Sequence, residues 1–229
     1  MSSKSPARRR YNRVLVKVSG ECFGNPETLA SLTGQFAALG RQGVKLAVVV
    51  GGGNILRGRD TKDMDRATAD RAGMLATTIN GIRLAQALKD AAHLCAFGIP
   101  GFVERYSVER GLEELAKGRV LVLSGGTGNP FFSTDSAAAL RAAELSLDAI
   151  LKATNVRGVY SADPRKDPRA KFYPELTYAR ALEEKLAVMD LTAFALCMER
   201  RIPIHVFDVT EDEAIIGIVK GKPIGSRVC

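Results

Sequence analysis

The chain has 229 residues, ordinary for one domain and short for two, and with 46% apolar and 25% charged residues it has the balance of a soluble globular protein. No stretch approaches the roughly 18 uninterrupted apolar residues of a membrane span, and the basic N-terminus lacks the apolar run of a signal peptide, so a cytoplasmic protein with no membrane partner is expected. Of the net charge of +8, five positive charges stand before residue 14, at Lys4, Arg8, Arg9, Arg10 and Arg13, with no acid among them. Residues 1–12 therefore read as a basic, disordered arm and residues 13–229 as a single domain; nucleic acid is a possible partner only through that arm, whose other reading is a solvated tail.

Residues 13–18 are short, apolar and β-branched and end in Ser19-Gly20, which predicts a buried strand followed by a tight turn. Leu29, Leu32, Phe36 and Leu39 recur at helical spacing, and Gly43 stands where a helix stops. A second strand is predicted over 44–50, running straight into Gly51-Gly-Gly53. The spacing predicts a long helix over 68–89 with Met74, Ile79, Ile82, Leu84 and Leu88 toward the core, against the costs of Gly73 and Gly81. Further strands are predicted at 92–97, 119–123, 149–152 and 204–207, with helices at 109–117, 136–145, 178–186 and 192–201. Strands that alternate with helices and are apolar on both faces imply an α/β fold, a three-layer sandwich with a mostly parallel central sheet. Ligands of such sheets bind at the carboxyl ends of strands.

Four strand ends carry small or polar turns: Lys17-Val-Ser-Gly20, Gly51-Gly-Gly-Asn54, Gly125-Gly-Thr-Gly128 and Lys152-Ala-Thr-Asn155. Glycine lets the backbone come close to a ligand, so N–H groups can surround phosphate oxygens, and a following helix N-terminus adds positive potential. The chain has no G-x-x-x-x-G-K-[ST] loop, and no G-x-G-x-x-G opens a helix after the first strand, which disfavours the common nucleotide folds. Lys17, Arg57 and Lys152 stand beside the turns, and phosphoryl transfer depends on cations placed in this way. Asp135 is positioned to cap the helix of 136–145. Asp163 reads as an Asp-Pro turn, and Asp70 as either a ribose-binding acid near the triple glycine or part of a solvated helix face. His93 and His205 lie in apolar strand-like stretches without the partners of a nucleophile triad or metal site, so both read as structural. Cys22, Cys95, Cys197 and Cys229 are scattered, with no C-x-x-C pair.

These turns carry a resemblance. Lys17-Val-Ser-Gly-Glu21, Gly51-Gly-Gly-Asn-Ile-Leu-Arg-Gly58, Ala72-Gly-Met-Leu-Ala-Thr77, Thr127-Gly-Asn-Pro-Phe-Phe-Ser-Thr-Asp-Ser136, Leu151-Lys-Ala-Thr154, Gly158-Val-Tyr-Ser-Ala-Asp-Pro164 and Val188-Met-Asp-Leu191 follow the order found in the bacterial uridylate kinases, which the chain resembles from residue 13 almost to its end. That family belongs to the amino-acid kinase superfamily. The resemblance implies its carbamate kinase-like fold, magnesium-dependent transfer of the γ-phosphoryl group of ATP to UMP in pyrimidine nucleotide biosynthesis, and a homohexamer built from dimers. It implies an ATP site of Lys17, Val18, Ser19, Gly20, Gly53 and Arg57, with Thr154, Tyr160 and Asp163 near the adenosine. UMP would be held by Gly52, Asp70, Thr127, Gly128, Asn129, Pro130, Phe131, Phe132, Ser133 and Thr134. Lys17, Arg57 and Lys152 would stabilise the transferring group, with Asp135 organising them or the magnesium shell and Asp190 in support. A related kinase with a carboxylate or carbamate acceptor, and a non-catalytic nucleotide-binding regulator, are the alternative readings. Two features depart from the family pattern: a short loop of Cys22-Phe-Gly-Asn-Pro26 after the first strand, and Arg157 where an acid usually stands.

Overall fold

The computed structural model of the chain describes residues 9–57 and 63–229. Lys4 and Arg8 of the basic arm and Gly58 of the triple-glycine motif lie outside the described residues. In chain order the elements are β1 (Arg13–Val18), α1 (Pro26–Arg41), β2 (Lys45–Val50), α2 (Arg66–Leu88), β3 (Ala91–Cys95), β4 (Glu104–Arg105), α3 (Val108–Ala116), β5 (Val120–Ser124), α4 (Thr134–Glu144) and β6 (Ala149–Thr154). They continue with β7 (Val159–Tyr160), β8 (Phe172–Tyr173), β9 (Glu175–Leu176), α5 (Tyr178–Glu183), α6 (Leu191–Arg200), β10 (Ile204–Asp208), α7 (Ala214–Val219) and β11 (Ser226–Val228).

Among the described residues, nine strands form one sheet in the order β4-β3-β5-β2-β1-β6-β10-β11-β9, and β7 pairs with β8 in a separate ribbon. The pairings are parallel except those of β10 with β11 and of β7 with β8. Alternation along each central strand divides the core. Val14, Val16, Val48, Val50 and Val122 pack with Leu32, Phe36 and Leu39 of α1, Leu84 of α2 and Ile215 and Ile218 of α7. Leu15, Val49, Leu123 and Ile150 pack on the other face with Ala138 and Ala142 of α4 and with Phe194 and Cys197 of α6. Both faces of the sheet are thus covered at its centre, which is why the central strands are apolar on both sides, whereas the edge strand β4 is the exposed pair Glu104-Arg105.

The topology creates the cleft. From β1 the chain passes to β2, then out to β3 and β4, and returns as β5 between β2 and β3; after α4 it crosses to β6 on the opposite side of β1. A sheet whose order reverses in this way opens a crevice at the carboxyl ends of the strands on either side of the reversal. Register then sets the chemistry: Lys17 of β1 is level with Lys152 of β6, so two ammonium groups emerge side by side.

The predicted strands and helices all form, with three corrections. Ile79 and Ile82 do not face the core: they are 49% and 45% exposed, and α2 turns Ala76, Thr77, Asn80, Gly81 and Leu84 inward. Close packing is the reason, because a Cβ on Gly81 would lie 2.3 Å from the His93 ring. The helix of 136–145 starts at Thr134, and its cap is Ser133, whose Oγ accepts from the N–H groups of Asp135 and Ser136. Asp135 is therefore not the cap and its side chain is released for other use.

Candidate active site

The ends of β1, β2, β5 and β6 and the start of α4 open onto a cleft of about 540 Å³. A second cavity of about 340 Å³ lies against β6 and includes Lys152, Ala153 and Thr154, and the two share Lys17, Ser19, Glu21 and Asn155 as wall. A separate hollow of about 520 Å³ is formed by residues 97–105 and contains no residue of either.

The floor is backbone. Gly51 N–H donates to Val18 O (2.8 Å), while the buried Asn80 side chain donates to Gly51 O (2.8 Å) and to Asn54 Oδ1 (2.7 Å). These bonds draw the turns after β1 and β2 together until a Cβ on Gly20 would lie 2.6 Å from Gly53 N, and α2 packs so closely on the second turn that a Cβ on Gly52 would lie 2.8 Å from Thr77 N. Glycine is required at both positions by contact rather than by backbone angle.

Asp135 is the electrostatic centre. Its Oδ2 accepts from Lys152 Nζ (2.7 Å) and its Oδ1 lies 3.1 Å from Lys17 Nζ. The second contact is an ion pair outside hydrogen-bond geometry, leaving Oδ1 without a hydrogen-bond partner. Burial alone would raise the Asp135 carboxyl, but the charges of Lys17 and Lys152 outweigh it and hold the group below its usual range. Two lysines opposite each other on neighbouring strands repel, and this carboxylate makes their approach tolerable. Lys152 Nζ also donates to Val188 O (2.8 Å). Asp190 completes the frame: it accepts from Ser133 Oγ, from Ser136 Oγ (3.0 Å) and, as the cap of α6, from Ala193 N–H (2.9 Å). The Val188-Met-Asp-Leu191 motif thus clamps the start of α4 and with it Asp135.

The opposite wall is the loop between β5 and α4. Thr77 Oγ1 accepts from Gly125 N–H (2.7 Å), and Asp70 Oδ2 accepts from Phe131 N–H (2.8 Å) while pairing with Arg66 Nε at the same distance. Asp70 is therefore a bonded, mostly buried acid rather than part of a solvated face. Phe131 has φ +72°, a left-handed conformation that disfavours a side chain, and the Asp70 bond helps hold it there. Across the cleft Arg57 pairs with Glu21.

Of the residues singled out in the sequence, Lys17, Ser19, Gly20, Gly52, Gly53, Arg57, Asp70, Asn129, Phe132, Ser133, Thr134 and Asp135 line the larger cleft, and Lys152 and Thr154 the smaller. Val18 is buried, so only its backbone is available to a ligand. Thr127, Gly128, Pro130 and Phe131 shape the loop without lining the cavity, and Thr127 Oγ1 accepts from Asn129 N–H (3.2 Å). Tyr160 lies on β7 against the Phe172 ring, and Asp163 Oδ1 accepts from Arg165 N–H (3.0 Å); neither lines either of these two cavities. Thr77 and Asn155, named in the sequence only as the ends of motifs, also line the cleft, as do Arg66 and Arg165, which the sequence reading does not name. For Arg66 the signal was present, an arginine four residues before Asp70 on one helix. His93 and His205 are structural as expected, bonded to Ser124 Oγ (2.8 Å) and Tyr11 Oη (2.9 Å).

The model of the amino acid kinase family matches residues 12–208. The chain is similar to the solved UMP kinase of Ureaplasma parvum, at 37% identity and a TM-score of 0.89 over 96% of this chain and 99% of that one. It is also similar to UMP kinase from Bacillus anthracis, at 31% identity and a TM-score of 0.90 over 95% and 96% of the two chains. The uridylate kinase of Archaeoglobus fulgidus matches at 28% identity and a TM-score of 0.75, over 95% of this chain and all of that one. With the family model matched across most of its length and two solved structures similar at 37% and 31% identity, this chain belongs to the amino acid kinase family.

Proposed function

We propose that the protein is a UMP kinase, which transfers the γ-phosphoryl group of ATP to UMP by direct in-line displacement. The observation that carries this reading is the meeting of Lys17, Lys152 and Asp135 where the 125–134 loop opens α4, because that junction joins a cationic floor to a separate wall able to choose an acceptor. Relatives at 37% and 31% identity that are UMP kinases support the choice of acceptor.

On this reading ATP lies over the turn after β1 and along β6, with phosphates on the backbone of Val18, Ser19, Gly20 and Gly53 and on Arg57, and with its nucleoside toward Thr154, Tyr160 and Asp163. UMP occupies Gly52, Asp70 and residues 127–134. Its phosphate already carries a nucleophilic oxygen, so no general base is needed and the protein's work is positioning and charge neutralisation. Lys17 and Lys152 face the group in transit, and Asp135 keeps the two ammonium groups together at neutral pH. Thr134 stands at the N-terminus of α4, where the helix favours an anion. Magnesium would neutralise phosphate charge when bound. Among the described residues no group of three His, Cys, Asp or Glu side chains converges on one point, which fits an ion held mainly by phosphates and water, and Asp135 Oδ1 is the carboxylate oxygen suited to its shell. The same reading carries a place in pyrimidine nucleotide biosynthesis, a cytoplasmic location, a homohexamer, and a division into an arm of residues 1–12 and a kinase domain of 13–229.

³¹P NMR of the protein with ATP, magnesium and UMP tests the reading. UDP and ADP resonances are expected to grow together, whereas ATP consumption with release of inorganic phosphate and no UDP would overturn it.

A further inference from the structure

The segment between β7 and β8 brings a further cation, Arg165, into the cleft. Asp163 Oδ1 accepts from Arg165 N–H (3.0 Å), and Asp163 O accepts from the N–H groups of Lys166 (3.0 Å) and Asp167 (2.9 Å), so the chain turns tightly through Pro164. That turn sends the Arg165 side chain back to the cleft, where its guanidinium donates to Asn155 Oδ1 and stands in the same wall as Lys17, Ser19 and Asp135. Asn155 belongs to the walls of both cavities, so Arg165 marks their junction.

Charge separates Arg165 from its neighbours. Lys17 and Lys152 face Asp135, Arg57 faces Glu21, and Arg66 faces Asp70. Arg165 faces the neutral amide of Asn155 and, among the described residues, forms no ion pair with an acid. A guanidinium carries five N–H donors in a fixed fork, so the single bond to Asn155 leaves several for a planar pair of phosphate oxygens. Arg165 is exposed, so its unmatched charge is tolerated in water before a ligand arrives. A polyanion entering the junction would gain this charge without first breaking an ion pair, as it must at Arg57 or Arg66.

We propose that Arg165 is a further phosphate-contacting residue that grips the triphosphate of the donor nucleotide at the junction of the two cavities; this rests on the reading of the cleft as an ATP-to-UMP kinase site. Asp163 then serves the donor by setting the turn that aims Arg165, which gives it a part in the site although it lines neither cavity. The UMP wall, formed by Asp70 and the loop before α4, does not depend on Arg165.

The test compares the full-length wild type with Arg165→Ala and Arg165→Lys. Calorimetric titrations use magnesium-ATP, inorganic tripolyphosphate and adenosine as probes, and initial rates are measured with ATP and UMP varied in turn. From the usual strength of a charge-assisted hydrogen bond, Arg165→Ala is expected to weaken ATP and tripolyphosphate binding about 10- to 100-fold. Adenosine affinity and the KM for UMP should stay within about twofold of wild type, and Arg165→Lys should recover part of the loss. Loss confined to the triphosphate probes is a signature that a merely structural turn residue would not give. ATP and tripolyphosphate binding unchanged in Arg165→Ala, or adenosine affinity lost in equal measure, would overturn the assignment. A wild type that binds ATP yet forms no UDP would refute the kinase reading while leaving these titrations decisive for Arg165; a wild type that binds neither ATP nor tripolyphosphate would refute both.

Discussion

The two walls of the cleft are built on opposite terms. Where β1, β6 and α4 meet, the side chains of Lys17, Asp135 and Lys152 are only 13 to 15% exposed and bind one another by charge. On the loop before α4, Phe131 and Phe132 are 66% and 48% exposed, and the loop is tied down through backbone N–H groups accepted by Asp70 and Thr77. The contrast follows from what each wall must do. Cations that stabilise developing charge lose most of their effect in water, so they are kept dry on rigid strand ends. A wall that admits and selects an acceptor must be reachable, and hydrogen bonds at its base give it shape without closing it.

The largest expected effect comes from removing a cation on the dry wall. Lys17→Ala should lower kcat about 1,000-fold while changing the Kd for UMP less than about fivefold, as measured by steady-state rates and calorimetry. Equal losses in the two would erase the distinction between the walls. Cutting the tie on the open wall should do the reverse: Asp70→Ala is expected to raise the KM for UMP about tenfold, with kcat within about fivefold of wild type. A collapse in kcat with KM unchanged would move Asp70 to the catalytic side.

Acid should expose the buried charges in two stages. Burial holds His93 neutral down to about pH 4 and His205 to about pH 3, the latter helped by Arg10 and Arg227. Both imidazoles take up protons more readily once unfolded, so stability should begin to fall below about pH 6.5 and continue toward pH 4. The Asp135 carboxyl is likewise held below its unfolded value and stays ionised to lower pH, so its contribution is complete above about pH 4 and is lost as the pH falls further. Melting temperatures from pH 7 to 3, for wild type and Asp135→Asn, should converge only below about pH 4. Equal separation of the two curves at every pH would contradict the ion-pair role. The smallest effect is expected on the loop itself. Because Phe131 has φ +72°, Phe131→Gly should change unfolding free energy by less than about 1 kcal/mol, and Phe131→Val should lower it by about 1–2 kcal/mol in denaturant titrations.

What could be read before folding depended on how local each signal is. β1 is legible to the residue because its β-branched apolar run ends in Ser19-Gly20, and the glycine turns announce close backbone approach wherever they occur. β7, β8 and β9 have two residues each, too short to show a period, and their pairing is decided by partners elsewhere in the chain. α7 escapes for another reason: Ala-Ile-Ile-Gly-Ile-Val is buried all round, so no polar face marks it as a helix. In the site, Lys17 and Lys152 stood out as charges at the ends of apolar strands. Of the two readings of Asp135, the cap is the one that fails; its pairing with Lys17 and Lys152, in line with the organising role that the resemblance implies, has no local signature because those partners are set by register between β1 and β6. Likewise the bond from Ser133 to Asp190 spans 57 residues, and that from Arg165 to Asn155 spans ten across a turn, so neither leaves a local pattern.

The division of the cleft into a charge-neutralising wall and an acceptor-choosing wall meets its most direct test in a coupled ADP-release assay. ATP and magnesium are held constant while UMP, CMP, aspartate, N-acetylglutamate and carbamate are offered in turn. Turnover with UMP well above that with every other acceptor is expected; turnover with a carboxylic acid or carbamate and none with UMP would contradict the account.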